Sequence, residues 1–257
     1  MRRTPIGDEE RHLLAEALGD TPETTIAVHL LRRGLCSAFI GDEPAEAAIV
    51  QNLALQGDVY AFGVSFDAIK ELLDVATGWR RVSAPKPVGL LLGAAVEQQT
   101  GLSMNYETVV YHTLKTPVVD YHDTAVQRLA QQDSHLLTAA PPQLQIGAFG
   151  DMNTLLGEGV VACAIVDGDV VTIAYTSAIT ERHADIGVMT LEPWRGRAFA
   201  TSATSAASLV AEEVQRLGLV PVWTTMDDDF ASIRIAEKLG FAEVSRRAVI
   251  SVATQGL

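Results

Sequence analysis

The stretch ADIGVMTLEPWRGRAFATSATSAASLVAEEVQRLG, residues 184–218, carries three local signals in succession. Ile186 to Leu191 is rich in apolar and β-favouring residues, which predicts a buried strand that Pro193 stops. RGRAFAT, residues 195–201, is a tight basic turn. From Thr201 onward Ala203, Ala206, Ala207, Val210, Val214 and Leu217 recur at helical spacing, and Gly218 suits the helix C-terminus. A strand, a Gly/Arg turn and a helix start leave several unpaired backbone N–H groups at the positive end of a helix dipole. Such a site binds anions, phosphates in particular.

Downstream, VPVWTT reads as a further strand, and Asp228 or Asp229 caps a last helix. With WTTMDDDFASIRIAEKLGF (223–241) in view, the two blocks together resemble the GCN5-related N-acetyltransferases. That family's coenzyme A pyrophosphate loop follows a strand as [Q/R]-x-x-G-x-[G/A] and opens a helix. Arg195, Ala198 and Ala200 fall on its three defining positions, with Ala in place of the central Gly. The second block is similar to N-x-x-S-x-x-x-A/Y-x-K-L-G-F. Asp229 stands for the Asn, and Ser232, Lys238, Leu239, Gly240 and Phe241 are in register. The resemblance runs from about residue 120 nearly to the end.

Composition bounds the rest. The 257 residues allow one large domain or two ordinary ones, and 48% hydrophobic with 20% charged residues is a globular balance. Asp and Glu number 32 against 19 Lys and Arg, a net charge of −13. This repels nucleic acid and favours cationic or amine substrates, although ordinary acidic solubility is the more common source of such a charge. Cys36 and Cys163 lie far apart among apolar neighbours, as buried reduced thiols do. The six histidines show no ligand spacing, so no metal is assigned. MRRTPIGDEERH has no apolar segment after its basic residues, and Val88 to Val96 is too short to span a bilayer. A cytoplasmic protein without membrane association is expected.

Residues 9–18 and 23–33 read as short helices closed by Gly19 and Gly34. LCSAFI (35–40) is strand-like, GDEPAE is a turn or a helix start, and DVYAFGV (58–64) is the next strand. Ser65 then caps a helix carrying Phe66, Ile69, Leu72, Leu73 and Ala76. WRRVSA, a helix from Pro87 to about Thr100, and a strand from Tyr106 to Leu114 complete an α/β order. TPVVDYHD (116–123) marks a boundary, giving an N-terminal α/β domain over 1–119 and a second domain over 120–257. The first is compatible with a degenerate copy of the acetyltransferase fold. In the second, DTAVQRLAQQD is the first strand leading to a helix, and Phe149 to Leu156 is a short helix. Val160–Val166 and Val170–Ile179 form a hairpin through Asp167-Gly168, and AEVSRRAVISVA is a closing strand or hairpin.

The resemblance implies a mixed sheet flanked by helices over 120–257, with acetyl-CoA as cofactor and a small-molecule or protein amine as acceptor. The cofactor would lie along Leu191, Arg195, Gly196, Arg197, Ala198, Ala200 and Thr201, with Asp229 and Ser232 orienting its pantetheine arm or simply capping the last helix. Asp185 matches a Glu of several family members and is the candidate general base, or else a carboxylate that only caps or pairs. Glu181, His183 and Glu192 are nearby substitutes. Ala236 stands where many members have a Tyr that reprotonates the thiolate. The alternatives are a non-catalytic acyl-CoA-binding or regulatory protein, and an N-terminal half that recruits a macromolecular acceptor.

Overall fold

The computed structural model describes residues 4–55, 57–141, 144, 149–195 and 199–253. The N-terminal half runs α1 (Asp8–Leu18), α2 (Thr25–Arg33), β1 (Cys36–Ile40), β2 (Ala47–Asn52), β3 (Asp58–Gly63), α3 (Phe66–Val75), β4 (Arg81–Ala84), α4 (Lys86–Thr100) and β5 (Met104–Thr113). The C-terminal half runs β6 (Val126–Leu129), α5 (Ser134–Ala139), α6 (Met152–Glu158), β7 (Val161–Val166), β8 (Asp169–Ile179), β9 (His183–Thr190), α7 (Phe199–Arg216), β10 (Val220–Met226), α8 (Phe230–Leu239) and β11 (Ala242–Val252).

Local chemistry accounts for most of these boundaries. Ser65 accepts a hydrogen bond from the Ala68 amide at the start of α3, and Asp229 accepts one from the Ser232 amide at the start of α8. Asp167 and Gly168 both take positive φ, 53° and 90°, as the two-residue turn between β7 and β8 requires. Two features depart from the sequence reading. A whole strand, β2, follows the GDEPAE turn where no strand is predicted; all six of its residues are buried, so it lacks the alternation that marks a half-exposed strand. The central strand begins at His183 rather than Ile186, so Asp185 lies within it and Leu191 just beyond its end.

The strands form one sheet in the order β1-β2-β3-β4-β11-β5-β10-β9-β8-β7-β6. Among the described residues, only β3–β4 and β9–β10 pair in parallel. The run from β1 through β5 has the same order of strands and helices as the run from β7 through β11. The two halves are therefore topological repeats, and they exchange their last strands. β11 lies between β4 and β5, and β5 lies between β11 and β10.

Helices cover the sheet and close separate apolar clusters. α3 and α4 bury Ile69, Leu72 and Leu92 against Ile49, Val59 and Val82. α7 presents Ala206, Ala207, Val210 and Val214 to Ala174, Ile186 and Trp223, its small residues letting the helix sit close to the strands. Each fully buried side chain of Leu or Ile size contributes about 1.5–3 kcal/mol. Cys36 and Cys163 are buried free thiols, both pushed up to about 12 by desolvation. α2 packs Val28 and Leu31 on β1 and β2 and also contacts β8 and β9, so it spans both halves. No helix among the described residues is long and apolar enough to cross a membrane.

Candidate functional site

Parallel strands β9 and β10 pair from Val220↔His183 to Trp223↔Ile186 and then part. Past that point Gly187–Thr190 of β9 and Thr224–Met226 of β10 have no mutual ladder. The β9 edge there offers backbone donors and acceptors to an extended ligand, and α7 starts nine residues after Thr190. The gap opens beside a cavity of about 720 Å³ whose walls come from both halves. α2 supplies Ile26 and Leu30, β3 and β4 supply Asp58, Tyr60 and Arg81, and β8 to β10 supply Tyr175, Ser177, Asp185 and Thr224.

Asp185 is 4% exposed. One carboxylate oxygen accepts from Thr224 Oγ1 at 2.5 Å and the other from Ser177 Oγ. Burial pushes its pKa up to about 6, although both hydroxyls pull it down. A buried carboxylate with a pKa near 6 can take a proton at neutral pH and release it again. Tyr175 stands across from Gly187 in the β8–β9 ladder, with its ring over that residue. A Cβ at Gly187 would lie 2.7 Å from the ring's Cζ, so any larger residue there would displace the tyrosine. Burial, then the nearby Asp185, pushes the Tyr175 phenol up to about 12. Burial likewise raises Tyr60 and Tyr111, so all three phenols keep their protons.

The corresponding gap in the N-terminal half is closed. β3 and β4 part after Tyr60↔Ser83, and the buried Arg247 of β11 fills the space. Its guanidinium donates to the carbonyls of Ala61 and Ser83 and stacks over Phe62 at 4.8 Å. The amides of Val64 and Ser65, ahead of α3, both donate to the Glu46 carbonyl. The repeat thus has a strand gap and a helix start, but protein groups occupy both.

The other sequence-predicted residues are placed as follows. Leu191 is half-buried just after β9, and Arg195 is exposed, with Nε donating to the Thr190 carbonyl at 3.0 Å. Ala200 and Thr201 fall in the first turn of α7; Gly196, Arg197 and Ala198 lie outside the described residues. Asp229 caps α8 and lines the cavity. Ser232 Oγ accepts from the Trp223 indole at 3.0 Å. Ala236 is fully buried in the core. The substitutes for Asp185 do not line the cavity: His183 is 2.7 Å from Asp20, Glu181 pairs with Arg32, and Glu192 is exposed in a 3-10 turn. Asp58, Tyr60, Arg81, Tyr175, Ser177 and Thr224 have no motif in the sequence. Alternation along β3 and β8 is the only signal that puts Asp58 with Tyr60, or Tyr175 with Ser177, on one face.

The model of the GNAT acetyltransferase family matches residues 103–249. No curated protein matches the chain. Among solved structures, a GCN5-related N-acetyltransferase-like protein from Streptococcus suis superposes with a TM-score of 0.69 at 18% identity, covering 96% of this chain and 100% of its own. A GCN5-related N-acetyltransferase from Kribbella flavida gives 0.60 at 14% identity, covering 94% and 96%. A putative GNAT-family acetyltransferase from Novosphingobium aromaticivorans gives 0.59 at 18% identity, covering 91% and 100%. The parted parallel strands, the long helix that joins them and the family match over more than half of the chain agree: this chain belongs to the GNAT acetyltransferase family.

Proposed function

We propose that the chain is an acetyl-CoA-dependent N-acetyltransferase whose acceptor amine enters the cavity between the halves. The observation that carries this reading is the juxtaposition of Asp185, a buried carboxylate with a pKa of about 6, with the gap between β9 and β10. The gap fits the cofactor's extended arm, since the edge of β9 from Gly187 to Thr190 is free of β10. Leu191, Arg195, Ala200 and Thr201, with Gly196, Arg197 and Ala198, would hold the pyrophosphate at the α7 start. Asp229 and Ser232 would border the arm while keeping their capping and indole contacts. Acetyl-CoA, when bound, supplies the activated acyl group.

The chain's own residues do the rest. Ser177 and Thr224 hold the Asp185 carboxylate in place, and Asp185 takes the proton that the amine loses. α2 and the tyrosines line the cavity with low-polarity surface, which strengthens charge interactions beside it. Residues 120–257 carry the acyl donor, and residues 1–119 contribute the far wall of the acceptor cavity. The test is calorimetry with coenzyme A, together with release of free thiol from acetyl-CoA in the presence of an amine panel. Binding and amine-dependent thiol release are expected. Binding without release from any amine would make this an acyl-CoA-binding protein, and no binding would remove the cofactor assignment.

A further inference from the structure

Among the described residues the cavity walls carry the carboxylates of Asp58, Asp185 and Asp229 against a single guanidinium, that of Arg81. Two of the carboxylates are engaged. Asp185 is held by Ser177 and Thr224, and Asp229 caps α8. The Asp58 carboxylate makes no hydrogen bond or ion pair among the described residues. Its cross-strand neighbour Arg81 directs Nη2 to Met226 Sδ at 3.1 Å instead. Burial raises the Asp58 pKa, and Arg81 offsets this only in part. A half-buried carboxylate so placed is short of a cation.

Tyr60 links the two ends of the cavity. It lies two residues from Asp58 on the same face of β3, and its phenol feels the carboxylates of both Asp58 and Asp185. Tyr60, Tyr111 and Tyr175 give the walls three aromatic rings, whose faces attract cations. Ile26, Leu30, Val109 and Met189 give the wall an apolar stretch beside the polar Asn52, Ser83 and Thr225.

We propose that this cavity binds an aliphatic diamine or polyamine, one nitrogen at Asp185 and a second, cationic nitrogen at Asp58, with the carbon spacer along the apolar wall. As an acceptor assignment this rests on the acetyl-transfer reading; as a binding site it does not. A monoamine leaves Asp58 with only the partial compensation that Arg81 provides. An amino acid brings its carboxylate into a cavity already richer in carboxylates than in cations. The net charge of −13 adds a field that draws dications in.

The test is calorimetry on the full chain without any acetyl donor, using 1,4-diaminobutane, spermidine, butylamine and 4-aminobutanoate. The diamine should bind about tenfold more tightly than butylamine, the scale of one added charge pair in a partly desolvated site. Asp58→Asn should remove that advantage and leave butylamine binding within about twofold. Equal affinity for butylamine and the diamine in the unaltered protein would overturn the proposal, whatever the variant does. Tightest binding of 4-aminobutanoate would also overturn it, making Arg81 the anchor of an anionic group. Diamine binding without acetyl transfer would remove the activity and keep this site. Transfer to monoamines with no preference for diamines would do the reverse.

Discussion

Replacing Asp185 by asparagine is expected to stabilise the protein and inactivate it at the same time. Burial raises the Asp185 pKa from 3.8 to about 6, and each unit is worth ~1.36 kcal/mol, so ionising this group costs the native state about 3 kcal/mol. The native state holds the proton more tightly than the unfolded chain. The contribution is therefore fully present below pH ~4, is lost as pH rises from ~4 to ~6, and stays lost above that. Asparagine keeps the size and cannot ionise, but its amide must pair with the hydroxyls of Ser177 and Thr224 in a new arrangement, at about 1 kcal/mol per bond disturbed. The net expectation is a gain of about 1–3 kcal/mol near pH 7.5, shrinking by about 2 kcal/mol near pH 4. Urea denaturation at the two pH values measures it. Turnover should fall by about 10²–10⁴-fold, the range for losing a general base, with coenzyme A affinity unchanged. Equal destabilisation at both pH values would refute the reasoning, since the carboxylate would then be a satisfied structural group.

Ser177→Ala removes a bond that holds the Asp185 pKa down, so the acidic limb of the pH–rate profile should move above 6. Gly187→Ala should cost about 1–3 kcal/mol, measured as a lower urea midpoint, because the new methyl meets the Tyr175 ring. Arg247→Met leaves the Ala61 and Ser83 carbonyls without their buried donor and should cost about 2–4 kcal/mol in the same assay.

Much of the fold was legible wherever a local rule applied. Asp167-Gly168, Ser65 and Asp229 mark the β7–β8 hairpin and the starts of α3 and α8 in the sequence, because turn and cap chemistry is written in neighbouring residues. β2 was not legible, since uniform burial erases alternation. The exchange of β5 and β11 had no local signature either: the pairing of Val249 with Glu107 on one side and Ser83 on the other joins residues far apart in the chain. The site divides the same way. Asp185 stands beside a recognisable strand, turn and helix. Its partners Ser177 and Thr224 come from other strands, and Asp58 meets Arg81 only through the register of β3 on β4.

The exchanged strands also constrain the order of events during synthesis. β4 and β5 emerge early, yet neither is fully paired until β11, at residues 242–252, takes its place between them. β5 can meet β10 only after most of the chain has been made. Until then β4 keeps one edge without its final partner and β5 keeps both, templates for pairing with another nascent chain. Arg247 arrives with β11, so the N-terminal gap is filled in the same step that closes the sheet. The two halves should therefore unfold together in a single transition, and an isolated N-terminal half should aggregate rather than behave as an independent module.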